Sequence, residues 1–467
     1  MPLILPANTL STGGFSVANS CRFNDGDSAY MYRSNGTPTS QRILTISTWL
    51  KRGTDMATTD VYQYWMGIQD TGVGDPRMYI GFNDSGQLNT GEKDGAGENV
   101  WKFTTNRVFR DPSAWMNIVL SIDTTQGTEA NRVKIYVNGT QETSFATSTY
   151  PTENLDMDTT GNEINVACID NSSPSGFFDG YIAEMVYSDG QAYAASDFGE
   201  FDEDSPTIWK PKDVSGLTFG DNGFYLDFED SANLGNDANG GTDFTTSGLA
   251  ATDQATDTPT NNFCTLNPLV PTTNITFSEG NCKMATHPSS DTYGGGIGTF
   301  GLTAGKWYWE IKMASLLGNH THGVISELTA ELYQNVTGLQ MDTGVTNFRN
   351  DDGGEMIKDG TQTTADYGIF DDGDIMGIAF NADDNQISIY DNGSAIVSNY
   401  AISTTRGTLF PYIGSGINTT FEVNFGGCPA FAITSGNADA NGYGNMEFAV
   451  PENYYVLCSA NLAEFGG

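Results

Sequence analysis

Basic residues are scarce in this chain: 20 Lys and Arg stand against 58 Asp and Glu in 467 residues, a formal net charge of −38. So acidic a surface repels phosphate backbones, which argues against nucleic-acid binding. Histidine is scarcer still, at three residues, and leaves little material for a His-based catalytic triad. The G-x-S-x-G elbow, the zinc-protease H-E-x-x-H and the Gly-rich phosphate loop with Lys are all missing. No apolar run is long enough to span a bilayer, so membrane insertion is not expected. The opening Met1-Pro-Leu-Ile-Leu-Pro6 lacks a basic flank and is broken by proline, so it does not read as a signal peptide. Without one, Asn138-Gly-Thr140 and Asn274-Ile-Thr276 are β-rich polar sequence, although they match the glycosylation pattern. Cys21, Cys168, Cys264, Cys282, Cys428 and Cys458 form no C-x-x-C pair and no metal-ligand spacing, so buried thiols are expected. Apolar residues at helical spacing are absent as well.

What is present is turn chemistry and alternation. Gly (55 residues), Asn, Asp, Ser and Thr recur between short apolar runs and cut the chain into many short strands. Val133-Lys-Ile-Tyr-Val-Asn-Gly139 and Ile387-Ser-Ile-Tyr-Asp-Asn-Gly393 are alternating strands that each run into Asn-Gly, the favoured pair for a type I′ hairpin. A chain this long exceeds one hydrophobic core, and a device repeated in two contexts predicts two antiparallel β-sandwiches in tandem. The expected division is a first sandwich over 1–211, a connector over 212–274, a second sandwich over 275–428 and a C-terminal extension over 429–467. The connector carries one strand, Phe224-Tyr-Leu-Asp-Phe228. Its Gly/Asn/Asp/Thr-rich stretch from Glu229 to about Asn262 reads as an extended linker or a loop strapped over a sheet.

Two family resemblances follow from ordered sets of motifs. Leu44-Thr-Ile-Ser-Thr-Trp49-Leu-Lys51, Trp115-Met-Asn-Ile-Val-Leu-Ser-Ile-Asp123, the Val133–Gly139 hairpin and Phe177-Phe-Asp-Gly-Tyr-Ile-Ala-Glu184 together resemble the laminin-G/concanavalin A-like jelly roll. Gly305-Lys-Trp-Tyr-Trp-Glu-Ile-Lys312, Gly373-Asp-Ile-Met-Gly-Ile-Ala-Phe-Asn381, the Ile387–Gly393 hairpin, Leu409-Phe-Pro-Tyr-Ile413 and Phe421-Glu-Val-Asn-Phe425 resemble a SPRY domain over about residues 290–428. The Arg22–Arg33 opening, Asp257-Thr-Pro-Thr-Asn-Asn-Phe263 and the tail Pro451–Leu462 resemble virion proteins of tailed bacteriophages.

That last resemblance implies a non-enzymatic structural protein of the virion, assembled in the host cytoplasm. The leading expectation is a tail fibre or receptor-binding appendage contacting host-surface glycan or protein. A capsid or tail decoration that binds only virion partners is the alternative, and a carbohydrate-active enzyme on the concanavalin-like fold the second. Expected partners are other virion proteins and further copies of the chain, a trimer by analogy with tail appendages.

Each candidate chemistry has a plainer reading beside it. Tyr225-Leu-Asp227-Phe-Glu229 is the nearest match to the E-x-D-x-E of retaining glucanases, but tyrosine replaces the first acid, so a solvated strand face is expected. His320-Thr-His322 puts two imidazoles on one face of a strand, which suits a metal, yet it lies within the SPRY-like segment and is read as core. Asp202-Glu-Asp204, Asp351-Asp352 and Asp371-Asp-Gly-Asp374 leave calcium open without EF-hand spacing; solvated loops are expected. Trp307, Tyr308 and Trp309 could form a sugar platform, but alternation assigns both tryptophans to a core face. No catalytic, cofactor-binding or metal-ligating residue is assigned.

Overall fold

A computed structural model describes residues 14–53, 62–69, 78–169, 173–270, 275–286, 294–317, 319–327, 344–350, 353–403, 407–415 and 418–466. Ser11–Thr260 form one compact unit, and Asn261–Gly467 belong to another. Each is almost wholly antiparallel β-structure.

The first unit opens with β1 (Ser20–Phe23), β2 (Tyr30–Ser34) and β3 (Ile43–Arg52). A meander follows: β4 (Gln63–Gln69), β5 (Met78–Phe82), β6 (Gln87–Lys93) and β7 (Asn99–Val108). Next come β8 (Met116–Asp123), β9 (Val133–Val137), β10 (Thr140–Gln141), β11 (Phe145–Thr149), β12 (Glu163–Val166) and β13 (Gly180–Asp189). Short strands complete it: β14 (Gly199–Phe201), β15 (Trp209–Pro211), β16 (Phe224–Leu226), β17 (Thr245–Ser247) and β18 (Gln254–Ala255). One sheet runs β10-β9-β8-β3-β13-β1-β18, with β16 added along β13. The facing sheet runs β11-β7-β6-β5-β4-β12-β2-β17. Alternation decides what is buried between them. Ile118, Leu120 and Ile122 of β8 and Val133, Ile135 and Val137 of β9 join Trp65, Phe82 and Trp101 in the core. The intervening residues of β8 and β9 face the other way.

Residues 212–260, set apart by composition as a connector, are part of this unit. β17 pairs with β2 and β18 with β1. Buried ion pairs fasten the stretch to the sandwich: Lys51–Asp257 at 2.6 Å, Arg33–Asp237 at 3.1 Å and Arg22–Asp253 at 2.9 Å. The Thr260 hydroxyl closes it by donating to the Val17 carbonyl at 3.1 Å. Strands of two or three residues are too short to show a period, so sequence pattern does not reveal them.

The second unit contains β19 (Ile275–Ser278), β20 (Lys283–Thr286), β21 (Gly294–Ile297), β22 (Lys306–Ser315), β23 (His320–Ser326) and β24 (Val345–Asn350). It continues with β25 (Glu355–Lys358), β26 (Thr361–Gln362), β27 (Ile375–Asn381), β28 (Gln386–Asp391) and β29 (Ser394–Ala401). The last strands are β30 (Leu409–Ser415), β31 (Thr420–Asn424) and β32 (Tyr455–Val456). Its sheets run β19-β20-β31-β22-β27-β28-β29 and β21-β30-β23-β24-β25-β26. Trp307 and Trp309 lie in the core with Phe380 and Phe421, whereas Tyr308 faces the opposite side against Phe263, Met446 and Val456.

The C-terminal stretch also differs from its expected separateness. β32 pairs in parallel with β22, and the helix Ser459–Phe465 follows it. Phe263 and Cys458 are bridged, so residues before 275 and after 428 both complete the second sandwich. A single division at 260/261 replaces the expected boundaries at 211, 275 and 428.

Candidate functional site

The outward face of β8 and β9 carries two adjoining depressions. Because Val119 pairs with Tyr136 and Ser121 with Lys134, the side chains of Ser121, Asp123, Lys134 and Tyr136 share that face. The stretch after β13 returns over it. Val186, Ala195, Phe198, Val214 and Phe219 are buried there with Val119, and Tyr136, Tyr193 and Trp209 pack on them. Two cavities open beside this layer and share Tyr136 and Ala194 as their common wall. One, of about 380 Å³, is mainly apolar, lined by Tyr136, Phe201 and Trp209 with Glu200 and Lys212 at its rim. The other, of about 310 Å³, is polar, lined by Ser121, Asp123, Gln126, Asn131, Lys134 and Tyr193.

Trp209 is the fixed wall of the apolar half. Its indole N–H donates to Asn117 Oδ1 at 3.2 Å, and Phe201 meets it edge-on with ring centroids 4.9 Å apart. The ring lies against both Gly139 and Gly199, where any Cβ would overlap it. Gly139 also has φ +74°, the left-handed value expected of its turn. The Asn-Gly hairpin thus serves as a seat for the tryptophan as well as a reversal of the chain.

The polar half is electrostatically mixed. Burial opposes the charge on Asp123, but hydrogen bonds from Thr125 and Gln126 and the nearby Lys134 outweigh it and hold its carboxyl below the usual range. Burial pushes the Tyr136 hydroxyl upward, so it stays a neutral donor at physiological pH. An aromatic floor beside neutral and oppositely charged hydrogen-bonding groups suits a ligand with an apolar face and hydroxyl or amide edges.

The sequence candidates fall elsewhere. Asp227 is half-buried and Glu229 exposed, just beyond β16. Tyr225 donates its hydroxyl to Glu184 Oε2 at 2.7 Å. That carboxyl comes from β13, so a motif confined to one strand misses it. Burial, opposed by the Tyr225 bond and reinforced by Asp227, Glu229 and Asp213, raises Glu184 to about 8. His320 and His322 are buried in the second unit and turned toward each other, Nδ1 to Nε2 at 2.7 Å. Asp202 is buried, accepts from the Asp204 and Ser205 amides and lies 3.5 Å from Lys210. Asp372 and Asp374 accept from the Leu316 and Asp371 amides in loop turns. Asp351 and Asp352 lie outside the described residues. Among the described residues no three His, Cys, Asp or Glu side chains are grouped to hold a metal ion. All six cysteines are buried thiols.

Tyr136 and Lys134 are visible in the sequence as the outward residues of the first hairpin strand. Trp209 is not: it comes from a separate short hairpin and has no periodic context.

Residues 25–193 match the family model of the concanavalin A-like lectin/glucanases superfamily, and residues 306–428 match the SPRY domain model. Solved structures similar to parts of the chain include the SPRY domain of human HERC1, 15% identical, covering 36% of this chain and 99% of that one at a TM-score of 0.29. Another is a heptameric SAP-like pentraxin from Limulus polyphemus, 13% identical, covering 39% and 76% at a TM-score of 0.26. No curated protein matches the chain. The chain therefore carries a concanavalin A-like domain followed by a SPRY domain.

Proposed function

We propose that this chain is a non-enzymatic virion protein of a tailed bacteriophage, a tail-fibre or receptor-binding appendage that contacts glycan or protein on the host surface. The observation that carries the binding role is the groove on the first unit, where the apolar Tyr136–Trp209 half meets the polar Asp123–Lys134 half. Such a surface recognises a ligand by stacking and by directed hydrogen bonds at once. The sequence resemblance to virion proteins supports the setting. The net charge of −38 opposes close association of copies, so assembly into the expected homotrimer should strengthen with salt or divalent cations.

The test is binding of the purified chain to host cells and to a glycan array, with its mass measured in solution with and without chelator. Tyr136→Ser, which keeps the inward face of β9 but gives up the ring's packing on Val119 and its neighbours, is expected to weaken host binding about tenfold or more while the first unit stays folded. Host binding indifferent to Tyr136→Ser would remove the groove from the reading. No host binding, with copies following capsid symmetry, would replace the appendage with a decoration protein. Release of reducing ends from host glycan would overturn the non-enzymatic assignment.

A further inference from the structure

The groove leaves unexplained the pair of imidazoles inside the second unit. His320 is 1% exposed and His322 0%, both on β23 at the centre of its sheet. His320 Nδ1 lies 2.7 Å from His322 Nε2, and both rings pack on Phe421. The outward nitrogens, His320 Nε2 and His322 Nδ1, are buried with no hydrogen-bond partner. A 2.7 Å contact between two ring nitrogens requires one proton between them. In either tautomeric arrangement each ring is neutral, and the outer pair is left as one N–H and one bare lone pair.

Among the described residues that face the pair, none carries a charge. The β24 partners of His320 and His322 are Asn350 and Phe348, and their β30 partners are Ser415 and Ile413. Phe421 approaches from β31, and the Ser415 hydroxyl is bonded to Thr419, which contacts Thr286. Arg349 is paired with Thr321, so alternation turns it to the opposite face. A further proton would enter at the bare outer nitrogen, leaving the shared N–H···N bond in place but putting a charge among apolar neighbours, and one more would break that bond.

We infer that the His320–His322 pair is an acid-sensitive latch of the second unit, closed while both rings are neutral and opened when a further proton puts a charge on the buried pair. Burial lowers His320 to about 4, and His322, beside it, lies well below the ordinary 6.5. The unfolded chain takes up these protons more readily than the folded one. The latch's stabilisation is therefore complete above about pH 6.5 and is lost as pH falls toward 4. Glu310 acts in the opposite sense, because burial favours its neutral form, so it does not account for loss in acid.

The buried thiols report each unit separately: Cys21 and Cys168 in the first, Cys264, Cys282, Cys428 and Cys458 in the second. The experiment is pulse labelling of the full chain with 4,4′-dithiodipyridine, which reacts in acid, followed by peptide mass spectrometry. Lowering pH from about 7.5 to about 4.5 is expected to speed labelling of the second-unit thiols at least tenfold relative to Cys21 and Cys168. His320→Asn combined with His322→Gln keeps a nitrogen near each bonded position without titrating, and should abolish that acceleration. Equal protection of all six thiols at both pH values overturns the latch, as does unchanged acceleration in the double variant. If the double variant does not fold, imidazole ¹⁵N NMR of the native chain decides. Protonation of the pair in step with thiol exposure supports the latch; both rings titrating near pH 6.5 with the thiols still protected refutes it.

Discussion

Both sandwiches are finished by a later stretch of chain, and the two stretches are held by different chemistry. In the first unit, residues 222–260 are tied down by cations: Arg33 reaches Asp237, Lys51 reaches Asp257 and Arg22 reaches Asp253. Trp115 also donates to Asp257 at 2.9 Å, and Arg33 to the Asn222 carbonyl at 2.6 Å. In the second unit, carboxylates bind backbone and side-chain amides instead. Glu310 accepts from the Glu447 and Phe448 amides at 2.9 and 2.8 Å and from Asn424 at 3.1 Å. Asp439 accepts from the Val456 amide at 3.0 Å and from Asn461 at 2.7 Å. A chain with only 20 basic residues thus commits three of them to this stretch and buries a fourth, Arg52, in the same unit. The same task, closing a sandwich with non-periodic chain, is met by ion pairing in one case and by amide capture in the other.

The largest test of that contrast is Asp257→Ala, which leaves the Lys51 ammonium buried without its closest carboxylate. It should lower the first unit's stability by about 3–5 kcal/mol and leave the second unit's unfolding unchanged. Calorimetry of the full chain checks this, and a single transition that shifts as one would merge the units.

The two hairpins come next. Gly139 lies under Trp209 at φ +74°, and Gly393 under Phe448 at φ +81°, where a Cβ would fall 2.6 Å from the ring. Valine at either position adds left-handed strain to ring displacement, an expected loss of about 2–4 kcal/mol confined to its own unit. Denaturant titration followed by unit-specific thiol exposure measures it. Equal losses in both units from one substitution would show that the seats are not local.

The smallest effect separates the two buried glutamates. Glu310→Gln should cost about 1–3 kcal/mol, since an amide cannot accept from all the donors aimed at that carboxylate. Glu184 meets Tyr225 and three nearby acids, and its folded value of about 8 lies above the ordinary 4.5. Its contribution is therefore full below about pH 4.5 and lost as pH rises through 8, a slope of at most about 1.4 kcal/mol per pH unit. Glu184→Gln should flatten the first unit's pH dependence across that window. Stability curves of wild type and variant that stay parallel from acid to alkaline pH would contradict it.

Much of the fold is legible in the sequence because alternation and Asn-Gly turns are local. Val133–Gly139 and Ile387–Gly393 became the hairpins β9–β10 and β28–β29, and Trp307 and Trp309 lie in the core. The strand Phe224–Phe228 was legible and became β16, but the units' edges were not, because β17, β18 and β32 have only two or three residues each. Their anchors are partners more than a hundred residues away, such as Arg33 for Asp237 and Glu310 for the Phe448 amide. The groove was half legible. Lys134 and Tyr136 follow from the strand period, whereas Trp209 arrives by tertiary packing. Glu184 was obscured by the bulge that gives it φ +47° and breaks the register of β13 with β3.

The seating of Trp209 between two glycines divides the groove into positions that can drift and positions that cannot. Residues 139 and 199 admit no side chain while the indole stays, and Asn117 must keep an acceptor for its N–H. Ser196, Glu200 and Phe201 around the apolar half, and Gln126 and Asn131 around the polar half, are exposed and free of that constraint. A lineage forced to follow a changing target could rewrite those five positions one at a time and keep the frame. Among related chains, variation should therefore concentrate at the rim of the groove, with glycine, glycine and tryptophan inherited together.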